Sequence, residues 1–294
     1  MAQVELIHLW KTYSEKAGPI VRNLSLSIAD GELISLLGPS GCGKTTTLRM
    51  VAGLEFPDGG EIIIGEQNVV PLQAKDRDIA LVFQQYALYP HMTVRENLEY
   101  PLKIQKLTKE EITKRVDAAA KLLNLTGKMD RKPGELSGGE QQRVALGRAI
   151  VRRPKVFLMD EPLSNLDAIL RVQTRAHLKA LQRETGVTTI IVTHDQSEAM
   201  SMSDRIAVMN QGIIQQVGEP DHIYQHPANT FVAGFIGDPP MNLITGTVRR
   251  ANGHAVLDAG GVPIPLQDDA PPGVREGMQL TIGVRADATA LAEP

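Results

Sequence analysis

The stretch Leu136-Ser137-Gly138-Gly139-Glu140-Gln141-Gln142-Arg143, followed closely by Lys155 to Asp167, sets the reading of the whole chain. Ser137, Gly138 and Gly139 present backbone N–H groups just ahead of an amphipathic run, Gln142 to Ile150, so a helix starting there aims its positive end outward. Such an end binds anions. Ser137 and Glu140 also have capping-box spacing, which marks the same helix start a second time.

Another anion-binding start lies upstream. Glu32 to Leu37 is a short apolar run ending in Gly38-Pro39-Ser40-Gly41-Cys42-Gly43-Lys44-Thr45, and Thr46 to Leu54 reads on as a helix. This is the strand, G-x-x-x-x-G-K-[ST], helix context of a phosphate-binding loop. Glycines let backbone N–H groups converge on phosphate oxygens, Lys44 reaches the β/γ-phosphates of a nucleotide, and the Thr45 hydroxyl ligates Mg²⁺. Cys42 occupies a variable position of the loop and reads as a small loop residue rather than a redox group.

Two further strand ends carry chemistry. Val156 to Met159 ends in Asp160-Glu161; a carboxylate at a strand end can hold Mg²⁺ through water, which suits Asp160, while Glu161 can polarise an attacking water. The β-branched run Val187 to Thr193 ends at His194, just before an Asp195 to Glu198 capping-box spacing. Between them Asp167 starts a helix to about Glu184, stopped by Gly186.

The chain has 294 residues, enough for one large or two small domains. A formal net charge of -3 supplies no basic field, so nucleic acid is not an expected partner. One cysteine excludes an intramolecular disulfide and a multi-cysteine zinc site, and it suits a reducing compartment. No secretory signal opens the sequence, and no apolar run approaches the roughly 20 residues that cross a bilayer.

Elsewhere Val4 to Leu9 and Asn23 to Ile28 read as strands, Glu61 to Ile64 as a hairpin or antiparallel edge element, and Ile79 to Phe83 as a buried strand ending at Gln84. Thr93/Glu96 and Thr108/Glu111 have capping-box spacing and start helices over about Val94 to Lys106 and Lys109 to Leu125. The charged Lys103 to Arg115 stretch reads as a solvated face. Ile206 to Met209 and Ile213 to Val217 form a hairpin around Gly212.

Leu136 to Arg143, then Val156 to Pro162, then Leu163-Ser164-Asn165-Leu166-Asp167 resemble the signature, Walker B and D-loop run of ATP-binding cassette (ABC) proteins. The resemblance implies an α/β P-loop NTPase cassette over 1–236: a RecA-like core, an antiparallel β subdomain, and a helical subdomain over about 90–152. It implies an ATPase using ATP and Mg²⁺. Catalysis would fall to Glu161, His194 as the switch histidine on the γ-phosphate, Gln84 as the Q-loop glutamine, and Lys44. ATP would touch Gly38, Pro39, Ser40, Gly41, Cys42, Gly43, Lys44, Thr45, Thr46, Gln84, Asp160, Asp167 and His194, with Thr45, Gln84 and Asp160 on the metal.

The family also implies a homodimer in which Ser137, Gly138 and Gly139 of one subunit cover the nucleotide held by the other. Tyr13 stands where the family stacks an aromatic on adenine, or is a surface tyrosine. Gln84 to Val94, aromatic in a chain with only 4% aromatic residues, matches the groove where importers dock membrane subunits, or packs locally.

Phe231 to Gly237 with Pro239-Pro240-Met241-Asn242 resembles the sugar and glycerol-phosphate importer ATPases of the maltose-transporter type. The expectation is therefore the motor subunit of an importer at the cytoplasmic face of the cell membrane. It would serve two separate permease subunits and, indirectly, a periplasmic or extracellular solute-binding protein. A soluble ABC ATPase acting on ribosomes or DNA is the alternative, and it usually has tandem cassettes, long coiled arms or zinc modules. Residues 237–294 read as the start of an OB-like β-barrel regulatory domain, short and incomplete, with Arg285-Ala286-Asp287 in place of the family's Arg-Pro-Glu. Those importers usually carry Gln where this chain has Glu140. A capping role would turn that carboxylate back toward the Ser137 amide, away from phosphate.

Overall fold

The computed structural model describes residues 2–83, 86–164, 166–251, 254–266 and 273–288. It divides into two compact units, Met1–Asp221 and His222–Pro294. The first begins with β1 (Val4–Thr12), β2 (Pro19–Ile28), β3 (Leu33–Leu37), α1 (Lys44–Ala52), β4 (Gly59–Ile64), β5 (Gln67–Asn68) and β6 (Ile79–Val82). Helices α2 (Val94–Ile104), α3 (Lys109–Leu122) and α4 (Gly138–Ile150) follow. Then come β7 (Val156–Asp160), α5 (Ala168–Thr185), β8 (Thr188–Thr193), α6 (Gln196–Met202), β9 (Arg205–Asn210) and β10 (Ile213–Gly218).

The site rests on a six-stranded sheet of order β10-β9-β3-β8-β7-β6. Its strands are parallel except for the β9–β10 hairpin. Every residue of β3 and β8 is buried, as expected of parallel strands covered on both faces. The Ser35 hydroxyl, inside that core, meets Ser203 Oγ at 2.5 Å, so its polarity is satisfied. Each fully buried Leu or Ile here contributes about 1.5–3 kcal/mol.

One face of this sheet packs on α1 and a second, antiparallel sheet of order β2-β1-β4-β5. Strand β1 points Val4, Leu6 and Leu9 inward. The step from 6 to 9 breaks strict alternation because the pairing with β2 slips there, with His8 at φ 50°. Strand β4 lies inside this sheet and forms a hairpin with β5, which takes the edge, so the hairpin alternative holds.

The other face carries α2, α3 and α4, joined through Leu98, Leu102, Val116, Leu123 and Val144. Gly147 of α4 permits this approach: a Cβ there would lie 2.7 Å from the Leu98 side chain and 3.0 Å from that of Leu123. The expected capping boxes divide. Thr93/Glu96 and Ser137/Glu140 are complete. At α3, Thr108 accepts from the Glu111 amide while the Glu111 carboxylate takes Arg115 at 2.7 Å, and at α6 the Glu198 carboxylate takes the Thr193 hydroxyl instead. Both starts are half-boxes, because a stronger or buried donor lay within reach of the glutamate. Helix α1 starts at Lys44 and stops at Gly53, which adopts the left-handed conformation, so it sits two residues earlier than its expected span.

Helix α7 (Pro220–Gln225) carries the chain across the boundary between units. The second unit continues with α8 (Thr230–Phe235), β11 (Asn242–Ala251), β12 (His254–Ala259), β13 (Val262–Pro265) and β14 (Gln279–Val284). The strands form one antiparallel sheet, β13-β12-β11-β14, the short alternating strands expected. Val248 and Leu257 are its buried centre. Arg285 stacks 4.1 Å from the Tyr224 ring and donates to the Tyr224 and Ile236 carbonyls, which ties β14 to α7 and α8. The expected boundary after residue 236 falls inside this unit.

Candidate functional site

Strands β3, β8 and β7 are neighbours, with Leu37 opposite Thr193 and Asp160 opposite Val192, so their carboxyl ends are level. Ligands of open α/β sheets bind at such ends. The loop 38–43 leaves β3 there, His194 leaves β8, and Asp160-Glu161 ends β7.

The loop requires its glycines. Gly43 has φ 103°, and a Cβ on it would lie 2.6 Å from the Ile20 carbonyl oxygen. Lys44 is buried and its Nζ donates to the carbonyls of Gly38 (2.8 Å) and Pro39 (2.9 Å). Cys42 is also buried, and burial pushes its thiol up, which keeps it protonated and inert. Ser40 and Gly41 are exposed at the loop tip, with Thr46 half-buried in the first turn of α1.

Helix α1 starts on Gly43 without a side-chain cap, whereas α2, α3, α4, α5, α6 and α8 each have one. The first-turn amides of α1 therefore offer donors that no side chain takes, which suits an anion. Beside them the Thr45 hydroxyl donates to Asp160 Oδ1 at 3.0 Å. One hydroxyl and one carboxylate are the hard oxygen donors Mg²⁺ takes while keeping water. Burial pushes the Asp160 carboxyl up, against the Thr45 hydrogen bond and the charges of Arg49 and Lys44. A dication there would favour its charged form.

Glu161 holds a left-handed φ of 45°, unusual for a side chain of its length. Its amide donates to the Val192 carbonyl at 2.9 Å, and its own carbonyl accepts from the Ser164 hydroxyl at 3.0 Å. The turn aims its carboxylate at His194, with Oε1 3.1 Å from Nδ1. Gln142 of α4 donates to the Pro162 carbonyl at 2.8 Å, tying the helix behind the signature to the turn that carries Glu161.

At the start of α4, the Ser137 amide donates to Glu140 Oε2 at 2.8 Å while Lys128 Nζ lies 3.3 Å from Oε1. The Glu140 carboxylate is thus turned back as expected, and the Ser137 amide holds it below the usual carboxylate range, with Lys128 adding to this. The amides of Gly138 and Gly139, the first two of α4, have no intrahelical acceptor. A Cβ on Gly139 would lie 2.7 Å from the Leu170 side chain. Asp167 caps α5, accepting from the Leu170 amide at 2.9 Å.

The structure brings Gly38 to Thr46, Asp160, Glu161 and His194 together. Among the described residues no hydrogen bond joins Ser137, Gly138 or Gly139 to that group. Tyr13 is 57% exposed with Lys11 Nζ 5.4 Å from its ring centroid. Gln84 lies outside the described residues. In the segment after it, buried Asn97 accepts from the Tyr89 amide and donates to the carbonyls of Tyr89, Met92 and Thr93. Arg148 donates to the Ala87 carbonyl at 2.8 Å. Sequence reasoning missed Asn97, Lys128 and Arg171. Only Arg171 had a sequence signal, its place one turn after the cap Asp167.

A loop, a strand-end carboxylate pair and a histidine in this arrangement define a nucleoside-triphosphatase of the P-loop class. Comparison with known proteins narrows the class. Residues 21–164 match the ABC transporter family and residues 237–289 the MalK OB fold domain family. The trehalose/maltose import ATP-binding protein MalK of Thermococcus litoralis is 63% identical over 98% of this chain and 78% of its own length. The sn-glycerol-3-phosphate import ATP-binding protein UgpC of Yersinia pseudotuberculosis serotype I is 52% identical over 98% of this chain and 79% of its own. A solved dimer of the ATP-binding cassette MJ0796, in a post-hydrolysis state bound to ADP and Pi, aligns with a TM-score of 0.65 at 34% identity, over 74% of this chain and 98% of that one. The chain belongs to the ABC transporter family, among the ATP-binding subunits of importers. No helix among its described residues is long and apolar enough to cross a membrane.

Proposed function

We propose that this chain is the ATP-hydrolysing subunit of an importer that takes up a sugar or glycerol 3-phosphate through separate permease subunits. Membership of the importer ATP-binding subunits carries the activity, and the 3.1 Å contact of Glu161 with His194 beside the Thr45–Asp160 pair supports the site. Lys44 and the first-turn amides of α1 hold the phosphates, while Glu161 orients the water and takes its proton. His194 steadies Glu161 and donates toward the γ-phosphate, with Gln84 completing the contact. Mg²⁺ held by Thr45, Asp160 and Gln84 would neutralise charge on the β/γ-phosphates.

Importer subunits of this family work as dimers with membrane permeases. In this chain Ser137, Gly138 and Gly139 of a second copy close over the nucleotide, which accounts for two anion-binding helix starts without a hydrogen bond between them. The permeases dock at the segment leading to Val94, whose turn Asn97 and Arg148 fix. The subunit sits on the cytoplasmic face of the cell membrane, with a solute-binding protein outside. The test is affinity capture from solubilised membranes of the native host, with Glu161→Gln and ATP, read by mass spectrometry. A permease pair is expected. Ribosomal or DNA-bound proteins without a membrane subunit would overturn the importer reading.

A further inference from the structure

Helix α5 carries three cations one turn apart, Arg171, Arg175 and Lys179, and all three meet the segment from Asp195 to Asp204. Arg171 Nη1 lies 3.4 Å from Asp195 Oδ2, Arg175 Nη1 3.5 Å from Ser201 Oγ, and Lys179 Nζ 2.7 Å from Asp204 Oδ1. Spacing of four residues puts them on one face. The three are not equivalent. Among the described residues only Arg171 of the three makes a second hydrogen bond, through Nη2, to the Leu166 carbonyl at 3.1 Å, just before the cap Asp167. Of the three, and among the described residues, Arg171 alone lines the polar cavity, about 150 Å³, that Glu161, Ser164, Thr193, His194, Asp195 and Glu198 also line.

His194 depends on this neighbourhood for its position. Its side chain is 57% exposed, so packing does little to fix the ring, and its contact with Glu161 depends on where the flanking backbone sets it. On one side the Thr193 hydroxyl donates to Glu198 at 2.7 Å and accepts from the Asp195 amide at 3.0 Å. On the other Asp195 Oδ1 caps α6 through the Glu198 amide at 3.2 Å. The remaining oxygen of Asp195 is the one Arg171 holds. A single guanidinium therefore joins the carbonyl before α5 to the residue following His194.

We propose that Arg171 is a positioning residue for hydrolysis, a tie that sets the His194–Glu161 contact according to the position of Leu166. This rests on the hydrolytic roles proposed above for Glu161 and His194. A shift of Leu166 is passed to Asp195 through a planar fork, which a flexible ammonium could not span to both acceptors. Arg175 still holds α5 to α6, through Ser201, and Lys179 holds it to Asp204 after that helix when Arg171 is replaced, so the relay can be lost while the fold is kept.

The test is single- and multiple-turnover ATP hydrolysis by the full chain carrying Arg171→Met, Arg171→Lys or Asp195→Asn, with Arg175→Met as the packing control and Glu161→Gln as the reference. Arg171→Met is expected to lower kcat about tenfold with KM for ATP within about twofold, since a small misplacement of a positioned group costs up to about a hundredfold. Its thermal midpoint should match that of Arg175→Met. Arg171→Lys should recover part of the rate, and Asp195→Asn, which keeps the cap, should reproduce the loss. Combined with His194→Ala, Arg171→Met should lower the single-turnover rate no further. The proposal is overturned if Arg171→Met and Arg175→Met hydrolyse alike, or if Arg171→Met has its full effect without His194. If Arg171→Met does not fold, Asp195→Asn decides on the same criteria. Full activity of Glu161→Gln would instead sink the hydrolytic reading, leaving the two failures distinguishable.

Discussion

Two helix starts in the first unit solve the same electrostatic problem in opposite ways. Helix α1 begins on Gly43 with no side-chain cap, and its loop is lined with the chain's own carbonyls and the buried Lys44. Helix α4 begins with a complete capping box and a carboxylate already paired to Lys128. A bare start with a cation beside it can hold a polyanion within one chain. A start that has spent one amide on its own serine and holds a glutamate nearby keeps only the amides of Gly138 and Gly139. Such a start can add to a site that another loop has already built, as the proposed closing partner surface would. The difference teaches that helix-end charge alone does not define a phosphate site; what the cap leaves unfilled does.

Replacing the cation at the bare start should have the largest effect. Lys44→Ala is expected to lower ATP hydrolysis by about 10²–10³-fold, the scale of losing one preorganised charged donor, and to weaken nucleotide binding in a fluorescent-ATP titration. At the capped start, Gly139→Val should cut hydrolysis by about ten- to a hundredfold while a single chain still binds ATP, because the new side chain would meet Leu170 and distort the surface proposed to close over the partner's nucleotide. Equal loss of binding in both variants would erase the distinction between the two starts. Gly147→Val tests the platform behind α4: crowding Leu98 and Leu123 should cost about 1–3 kcal/mol in urea unfolding, with KM for ATP unmoved. Smallest are the charges beside the box. Lys128→Ala is expected to slow turnover about twofold at low salt and less at high salt, a pair still open to solvent being worth about 1 kcal/mol or less. Glu140→Gln should change turnover by less than about tenfold, since its carboxylate faces the Ser137 amide.

Much of this site was legible because short motifs dictate local backbone. The glycines of 38–43, the apolar run before Asp160 and the β-branched run before His194 each place a group at a strand end, and β3, β8 and β7 proved adjacent. Spacing could not show that adjacency, nor the Glu161–His194 contact, which depends on a left-handed turn at Glu161. Capping was legible only in part. Thr108 and Asp195 do cap their helices, but Glu111 and Glu198 are claimed by Arg115 and Thr193, and such competition is settled by packing. Arg171 shows the limit most clearly, because its two acceptors are 5 and 24 residues away and meet only in the fold.

The most direct measurement asks whether one nucleotide is held by two chains. In a Glu161→Gln background, Lys44→Ala chains and Gly139→Val chains are incubated with Mg²⁺ and ATP, separately and mixed, and the ATP retained after rapid desalting is counted. Each variant alone should retain none, while the mixture should retain ATP, because the intact loop of one chain meets the intact signature of the other. A mixture that retains no more than its separate components would contradict the shared site.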